Sequence, residues 1–437
     1  MSGASNAVAG VPCGGESILH SVNRLMELKA QGVQQGDPLG PLLFALILHP
    51  IMNKIASQCS LDLQAWYLDD GTIIGDTMEV LKVLNIIQFE GLHRGLHLNV
   101  HKTELFWPAA DPRSFDPDVF PNNISRPSSG VKLLGGLVSM DLQFCNDMVM
   151  QRMNKTIQLM NIVKKLNDPQ CELLLLRNFS GVSKLYFTMR TTCPLALEKS
   201  KTHFDDHLYQ YLRQLVTVDG AGFGPLQYRL VTFPIRDGSL GIYTMSDTTH
   251  YCYLASQFQT QFIQRIILSS ITSAEPSPIS QQALQTFTQV CGITSSLLNF
   301  DSASPPSMDS MHSLEVIYFE SVKKQLPTNF NMSTRDCMLW QSNILKHAQD
   351  YLLAIPISGL NQTLGPTQFR CILSYRLGIP LFPKDSRCTS CNREMDIYGD
   401  HALHCASEVG NKFRHDLVRD IFVDICFRAG ISARKEA

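Results

Sequence analysis

Charge is scarce in this sequence. Asp, Glu, Lys and Arg make up 17% of 437 residues and nearly cancel, leaving a formal net charge of −2. No overall basic field therefore draws the chain to phosphate, and a nucleic-acid partner needs a local basic face. Long apolar runs are lacking too. Leu42 to Leu48 ends at His49-Pro50, well short of the ~20 residues that span a bilayer, so no membrane partner is expected. The opening "MSGASNAVAGVPCGG" has neither a basic start nor a continuous apolar core, so it is not read as a secretory signal. There is no internal repeat and no GxxxxGK[ST] phosphate cradle. Paired cysteine spacing is missing as well. The 13 cysteines are odd in number and mostly scattered, which argues against a secreted disulfide framework and for a reducing, intracellular compartment.

Apolar residues are plentiful at 44%, enough for more than one core in a chain of this length. Ile18 to Lys29 could form a short helix. From 31 to 140 turn signals are dense, and short strands alternating with helices suggest an α+β class. Pro41 to Ser57 reads as a helix that Pro50 should kink or end early. Leu63 to Leu68 and Thr72 to Ile74 read as two strands joined by a tight turn. Thr77 to Leu92 is helical, with Val80, Leu84 and Ile87 on one face. Helices dominate from about 145 to 270, where Val149, Met153, Ile157, Met160, Val163 and then Phe204, Leu208, Tyr211, Leu212, Leu215 recur at helical spacing. Residues 150–230 carry eleven Lys or Arg against six Asp or Glu. That excess is either a solvated helical face or a phosphate-facing surface. Ser/Pro-rich stretches at 273–280 and 301–310 read as linkers.

The stretch "AWYLDDGTIIG" (65–75) sets Asp69 and Asp70 side by side. Asp-Gly alone is an ordinary hairpin turn. Here Trp66, Tyr67 and Leu68 run straight into the acids and an apolar segment follows, which predicts a buried hairpin with two carboxylates at its tip. Such charge is costly to bury unless a divalent cation offsets it. Adjacent strand residues point to opposite faces, so two neighbours cannot cage two ions, and a carboxylate from another strand is required.

Four segments occur in order: "GVQQGDPLGPLLFALILHP" (32–50), "AWYLDDGTIIG" (65–75), "RGLHLNVHKTELFWP" (94–108) and "GVKLLGGLVS" (130–139). They resemble consecutive motifs of the reverse transcriptase palm in LINE-type (non-LTR) retrotransposons, and more closely the plant-type reverse-transcriptase-like proteins. The resemblance continues through "DPQCELLLLRNFSGVSKLYFTMRTTCP" and the C-terminal cysteines. It implies a right-hand polymerase: an N-terminal remnant (1–30), a partial palm with an antiparallel sheet and helices (31–143), a helical thumb (144–270), a Ser/Pro-rich linker (271–312) and a helical C-terminal region (313–437). It implies that Asp69 and Asp70 hold Mg2+ or Mn2+, with Asp69 the primary ligand. Gln35, Gly36 and Tyr67 would contact nucleotide and template. Lys102 would approach the triphosphate, and Leu134, Gly135 and Gly136 would grip the primer end. Asp37 and Pro38 read as turn and helix-start residues. The implied partners are an RNA template, a DNA primer or target and deoxynucleoside triphosphates. Action on chromosomal DNA suggests the nucleus, although no basic targeting run is present.

The family carries another essential Asp upstream of the QGDP loop, in a segment of the type apolar-Asp-x-x-x-Ala-Phe. The only acids before that loop are Glu16 and Glu27, and neither is followed by Ala-Phe. Lys29-Ala30 runs almost directly into "QGVQQGDP", which points to an internal deletion or a wrongly joined gene model near Lys29–Gln31. The chain as written is therefore expected to polymerise poorly or not at all. Near the C-terminus, Cys388-x2-Cys391 is followed by His401 and Cys405. Three thiolates and one imidazole at this spacing suit tetrahedral Zn2+ in a knuckle at 388–405, with His404 and His415 as alternative ligands. Buried free cysteine is the plainer alternative. Some LINE-type proteins carry such a knuckle before a restriction-like endonuclease. No nuclease motif follows here, so DNA cleavage is not expected.

Overall fold

The computed structural model describes residues 37–437 except 117–118, 219, 269–276, 296–297, 299–309, 361, 406–407 and 433–437. The expected helix at Ile18 to Lys29, together with Gln35 and Gly36, lies outside the described residues. The class is α+β: helices with three small two-stranded antiparallel sheets among the described residues. The chain divides into two compact units, residues 1–145 with 263–274, and residues 146–262 with 275–437.

The first unit opens on α1 (Gly40–Gln58), the hairpin β1 (Leu61–Tyr67) and β2 (Asp70–Gly75), and α2 (Thr77–Leu92). Asp37 starts α1: its carboxylate accepts from Leu39 N at 2.9 Å and its carbonyl from Gly40 N at 3.0 Å. Of the two outcomes expected at Pro50, a kink or an early end, the early end does not occur: α1 continues to Gln58 with the proline inside it. Ile51 and Ile55, beyond the proline, are fully buried against Val83 of α2, with Trp66 and Ile73 packed alongside. Packing on that scale outweighs one missing backbone hydrogen bond. The continuation also makes α1 long and apolar enough to cross a membrane by length and composition alone, which the run ending at His49 did not suggest. Only 22% of that stretch is buried: Gly40, Leu48, Ile51 and Ile55 pack inward, while Leu42, Leu43, Leu46 and Ile47 are exposed. Lys54 and Arg94 both pair with Glu90, at 2.6 Å each, and so tie α1 to the end of α2. Asp76 caps α2 by accepting from Met78 N. A second cluster gathers Leu84, Phe120 and Ile124, with Leu98 and Trp107 against it. A second hairpin, β3 (Val131–Leu133) and β4 (Gly136–Val138), completes the described strands of this unit.

The second unit is helical. It contains α3 (Leu142–Val163), α4 (Pro169–Leu175), α5 (Tyr186–Thr191), α6 (Glu198–Thr217), α7 (Pro225–Val231) and α8 (Met245–Leu268). After these come α9 (Pro278–Cys291), α10 (Ser310–Asn329), α11 (Thr334–Ile344), α12 (Asp350–Leu353) and α13 (Pro366–Arg376). The periodic residues face inward: Val149, Met153 and Met160 of α3 and Phe204, Leu208, Tyr211, Leu212 and Leu215 of α6 are buried. The Ser/Pro-rich stretch from 271 is not all connection. Ser277 caps α9 and Pro278 occupies its first turn, where a missing N–H costs nothing. An ion pair inside the unit joins Arg229 to Asp247 at 2.6 Å, and Tyr318 donates to the same carboxylate at 2.6 Å. The chain then forms the short hairpin β5 (Ser386–Arg387) and β6 (Glu394–Met395), α14 (Asp400–His404) and α15 (Glu408–Arg428).

Candidate functional site

Two constellations carry chemistry, one in each unit. The first is the tip of β1–β2. Tyr67 pairs with Asp70 and Trp66 with Gly71, so Leu68 and Asp69 form the turn. Asp-Gly would have been the favoured pair, but register follows packing. Trp66 and Ile73 must face the α1–α2 cluster, and this places Gly71 within β2. A Cβ on Gly71 would stand 2.4 Å from the Trp66 ring, so the glycine is required by the indole lying over it. Leu68 takes the left-handed conformation instead, at φ 55°, an uncommon state for a branched side chain.

The expectation of a buried hairpin is corrected. Tyr67, Leu68 and Ile74 are exposed, and Asp70 is exposed while Asp69 is half-buried. A two-stranded sheet packs one face on the core and leaves alternate residues outside. Burial, with the charge of Asp70 added to it, raises the Asp69 carboxyl above the usual carboxylate range. A hydrogen bond from its own backbone and the charge of Lys102 oppose that rise. Lys102, exposed at the end of the turn Val100–Lys102, thus acts on the same carboxylate. Asp69, Asp70 and Lys102 are brought together, with Tyr67 beside them. Among the described residues no third carboxylate, histidine or cysteine joins the two aspartates in a cluster able to hold a metal. The donor set is half of what a two-metal site requires. The second hairpin turns at Leu134 and Gly135, both left-handed, at φ 47° and 84°, with Leu133 opposite Gly136. Its tip is apolar and exposed.

The second constellation is the knuckle. One ligand atom from each of Cys388, Cys391, His401 and Cys405 lies within 4.8 Å of all the others. The Cys388 and Cys405 sulfurs are 3.8 Å apart. Thiolates about 2.3 Å from a tetrahedral Zn2+ stand roughly 3.8 Å from each other. Cys391 Sγ to His401 Nε2 is 3.1 Å. A tight turn delivers the first pair: Cys388 N donates to Arg393 O and Asn392 N to Cys388 O, each at 2.8 Å, with Asn392 left-handed. Backbone N–H groups of Ser390 and Cys391, then His401, bring the Cys388 thiol down to about 6, toward the thiolate that binds metal. The chemistry and spacing of this donor set fit Zn2+.

Two residues that hold the knuckle escaped the reading of the sequence. Asp396 accepts from the backbone N–H groups of Tyr398, Asp400 and His401 and so sets the start of α14. Burial alone would raise its carboxyl, but these donors hold it below the usual range. Arg335 of α11 reaches both oxygens of Asp400 at 2.8 Å and lies 3.9 Å over the Tyr398 ring. The Asp396-x-x-Gly399 turn was a usable local signal; Arg335 lies 65 residues away and gave none.

No curated protein matches the chain. A family model does match one part of it: residues 26–138 are similar to Reverse transcriptase (RNA-dependent DNA polymerase). That span holds α1, both hairpins, Asp69, Asp70 and Lys102, so the unit carrying the paired carboxylates contains a segment similar to a reverse transcriptase domain.

Proposed function

We propose that this chain descends from the reverse transcriptase of a LINE-type (non-LTR) retrotransposon and no longer polymerises. In this reading residues 31–143 are a partial palm and residues 144–270 a thumb. Asp69 and Asp70 are the remaining ligands for Mg2+ or Mn2+. Lys102 would neutralise triphosphate charge, and the Leu134 to Gly136 tip would bear on the primer end. When bound, the cation pair stabilises the attacking and leaving oxygens together. One observation carries the loss of activity: the two aspartates have no third metal-binding partner among the described residues, and the short stretch from Lys29 to the QGDP loop holds no acid. Removing one essential group from such an assembly costs several powers of ten in rate.

The knuckle favours a retained role in holding nucleic acid. Its Cys3His set fits Zn2+, and the basic excess of residues 150–230 suits an RNA template paired with a DNA primer. The test is primer extension by the purified full chain on an RNA template, with Mg2+ and with Mn2+ and all four deoxynucleoside triphosphates. The expected result is binding of the RNA–DNA duplex without extension above background. Robust extension overturns the proposed loss. Sequencing the transcript across Lys29–Gln31 adds a second check, because a messenger that encodes the absent Asp segment makes the deletion an error of gene assembly.

A further inference from the structure

Helix α4 does not end in the usual way. It opens into five residues of π-helix, Leu176–Ser180, a form that recurs where a helix is reshaped at a functional site. Ser180 Oγ donates to Leu175 O at 3.1 Å. Gly181 closes the turn, and a Cβ there would lie 2.5 Å from Leu176 O. On this turn sits Arg177, whose Nε donates to Leu240 O at 3.0 Å and Nη1 to Leu352 O at 2.9 Å. Its Nη2 is buried and has no hydrogen-bond partner. Burial depresses the Arg177 pKa, and no carboxylate opposes it.

Arg177 lines a cleft of about 500 Å³ between the π-turn and the segment 234–243, together with Asn178, Ser183, Arg236 and Tyr243. No acid is among the lining residues. Arg236 reaches Glu315 only loosely, at 3.4 Å, and Asp237 at 3.9 Å. Asp237 is engaged by Lys323 at 2.7 Å, and Glu315 also accepts from Tyr243 at 3.2 Å. Lys323 also pairs with Glu320 at 3.3 Å, so Asp237, Glu315 and Glu320 are all engaged by Arg236 or Lys323, and no carboxylate acts on the Arg177 guanidinium. A buried guanidinium with an unused N–H is costly until an anion meets it. Planar forked donors match the oxygens of phosphate. Phe179 on the same turn and Phe187 on α5 are exposed, and exposed rings are what bases stack on.

We infer that this cleft is a phosphate site, in which the unused Nη2 of Arg177 and the guanidinium of Arg236 grip one phosphate of a nucleotide or of a nucleic-acid strand. The site uses no residue of the carboxylate hairpin or of the knuckle, so loss or retention of polymerisation does not decide it; its strand-binding arm rests on the proposed thumb, in which Arg177 lies.

The experiment measures binding to the full chain in magnesium-free buffer by calorimetry. The probes are inorganic phosphate, dATP and a single-stranded oligodeoxynucleotide of about twelve residues. Arg177→Gln also removes two bonds to backbone carbonyls and endangers the fold, so the decisive variants are Asn178→Asp and Arg236→Gln. The first places a carboxylate at the cleft on an exposed side chain without changing its size. Each is expected to weaken the probes that bind by about tenfold, with circular dichroism and melting temperature unchanged. Tighter binding of dATP assigns the site to free nucleotide, and tighter binding of the oligonucleotide assigns it to a strand. Absence of binding by every probe at millimolar concentration, or equal affinity in both variants and the parent, overturns the proposal.

Discussion

Asp69 is a carboxylate that its surroundings do not favour. Burial and Asp70 raise its pKa, and Lys102 only partly offsets them. A raised carboxyl binds its proton more tightly in the folded chain than in the unfolded one. Its contribution to stability is therefore fullest at low pH, and is lost as pH climbs from the ordinary Asp value through the raised one. Asp69→Asn should leave the protein as stable as the parent at pH 7 or more stable, by up to about 0.5 kcal/mol, since the group is partly solvated. The difference should vanish below about pH 4. Urea denaturation at the two pH values checks this; a destabilised variant at pH 7 means that attraction to Lys102 outweighs burial. The acids themselves were legible in "AWYLDDGTIIG". The turn was not, because local propensity favours Asp70-Gly71 while the packing of Trp66 and Ile73 sets the turn two residues earlier, at Leu68 and Asp69.

The knuckle shows what an element's sequence reveals and conceals. Cys-x2-Cys and His-x3-Cys could be read directly, since a short hairpin and one helical turn place them locally. Asp396 and Arg335 act through folding: one orients α14 by its backbone, and the other anchors it from α11. The purified chain should carry about one Zn2+ per molecule by elemental analysis. Cys391→Ser should lose most of it. Arg335→Ala touches no metal ligand but loosens α14, and should weaken zinc affinity by about 10- to 100-fold, as outer supports of metal sites do. A chain that holds no zinc under reducing conditions would mean that these cysteines are simply packed side chains.

At the scale of the whole molecule, the helical spacings of α3 and α6 revealed where the larger core lies. What holds distant segments within that core was not legible. The Gln170 side chain donates to Gln362 O and accepts from Leu364 N, across more than 190 residues of chain. No local pattern encodes such a bond. The chain divides into two compact units, with the carboxylate hairpin in the first and the knuckle in the second. Scanning calorimetry should accordingly resolve two transitions. Stripping zinc should lower only the transition of the helical unit, by more than about 5 °C, and leave the other in place. A single transition that moves as a whole would show the units to be one cooperative body.

The glycine under Trp66 has a bearing on lineage. Gly71 is held in place by an indole ring, whereas Asp70 is exposed and half-buried Asp69 gains no stability from its charge. On the descent proposed above, a copy freed from selection for polymerisation but still selected to fold would let the aspartates drift while the glycine stays. Across sister copies, substitution at position 71 would date the loss of a folded hairpin, and substitution at 69 or 70 the loss of chemistry. The two clocks need not have started together.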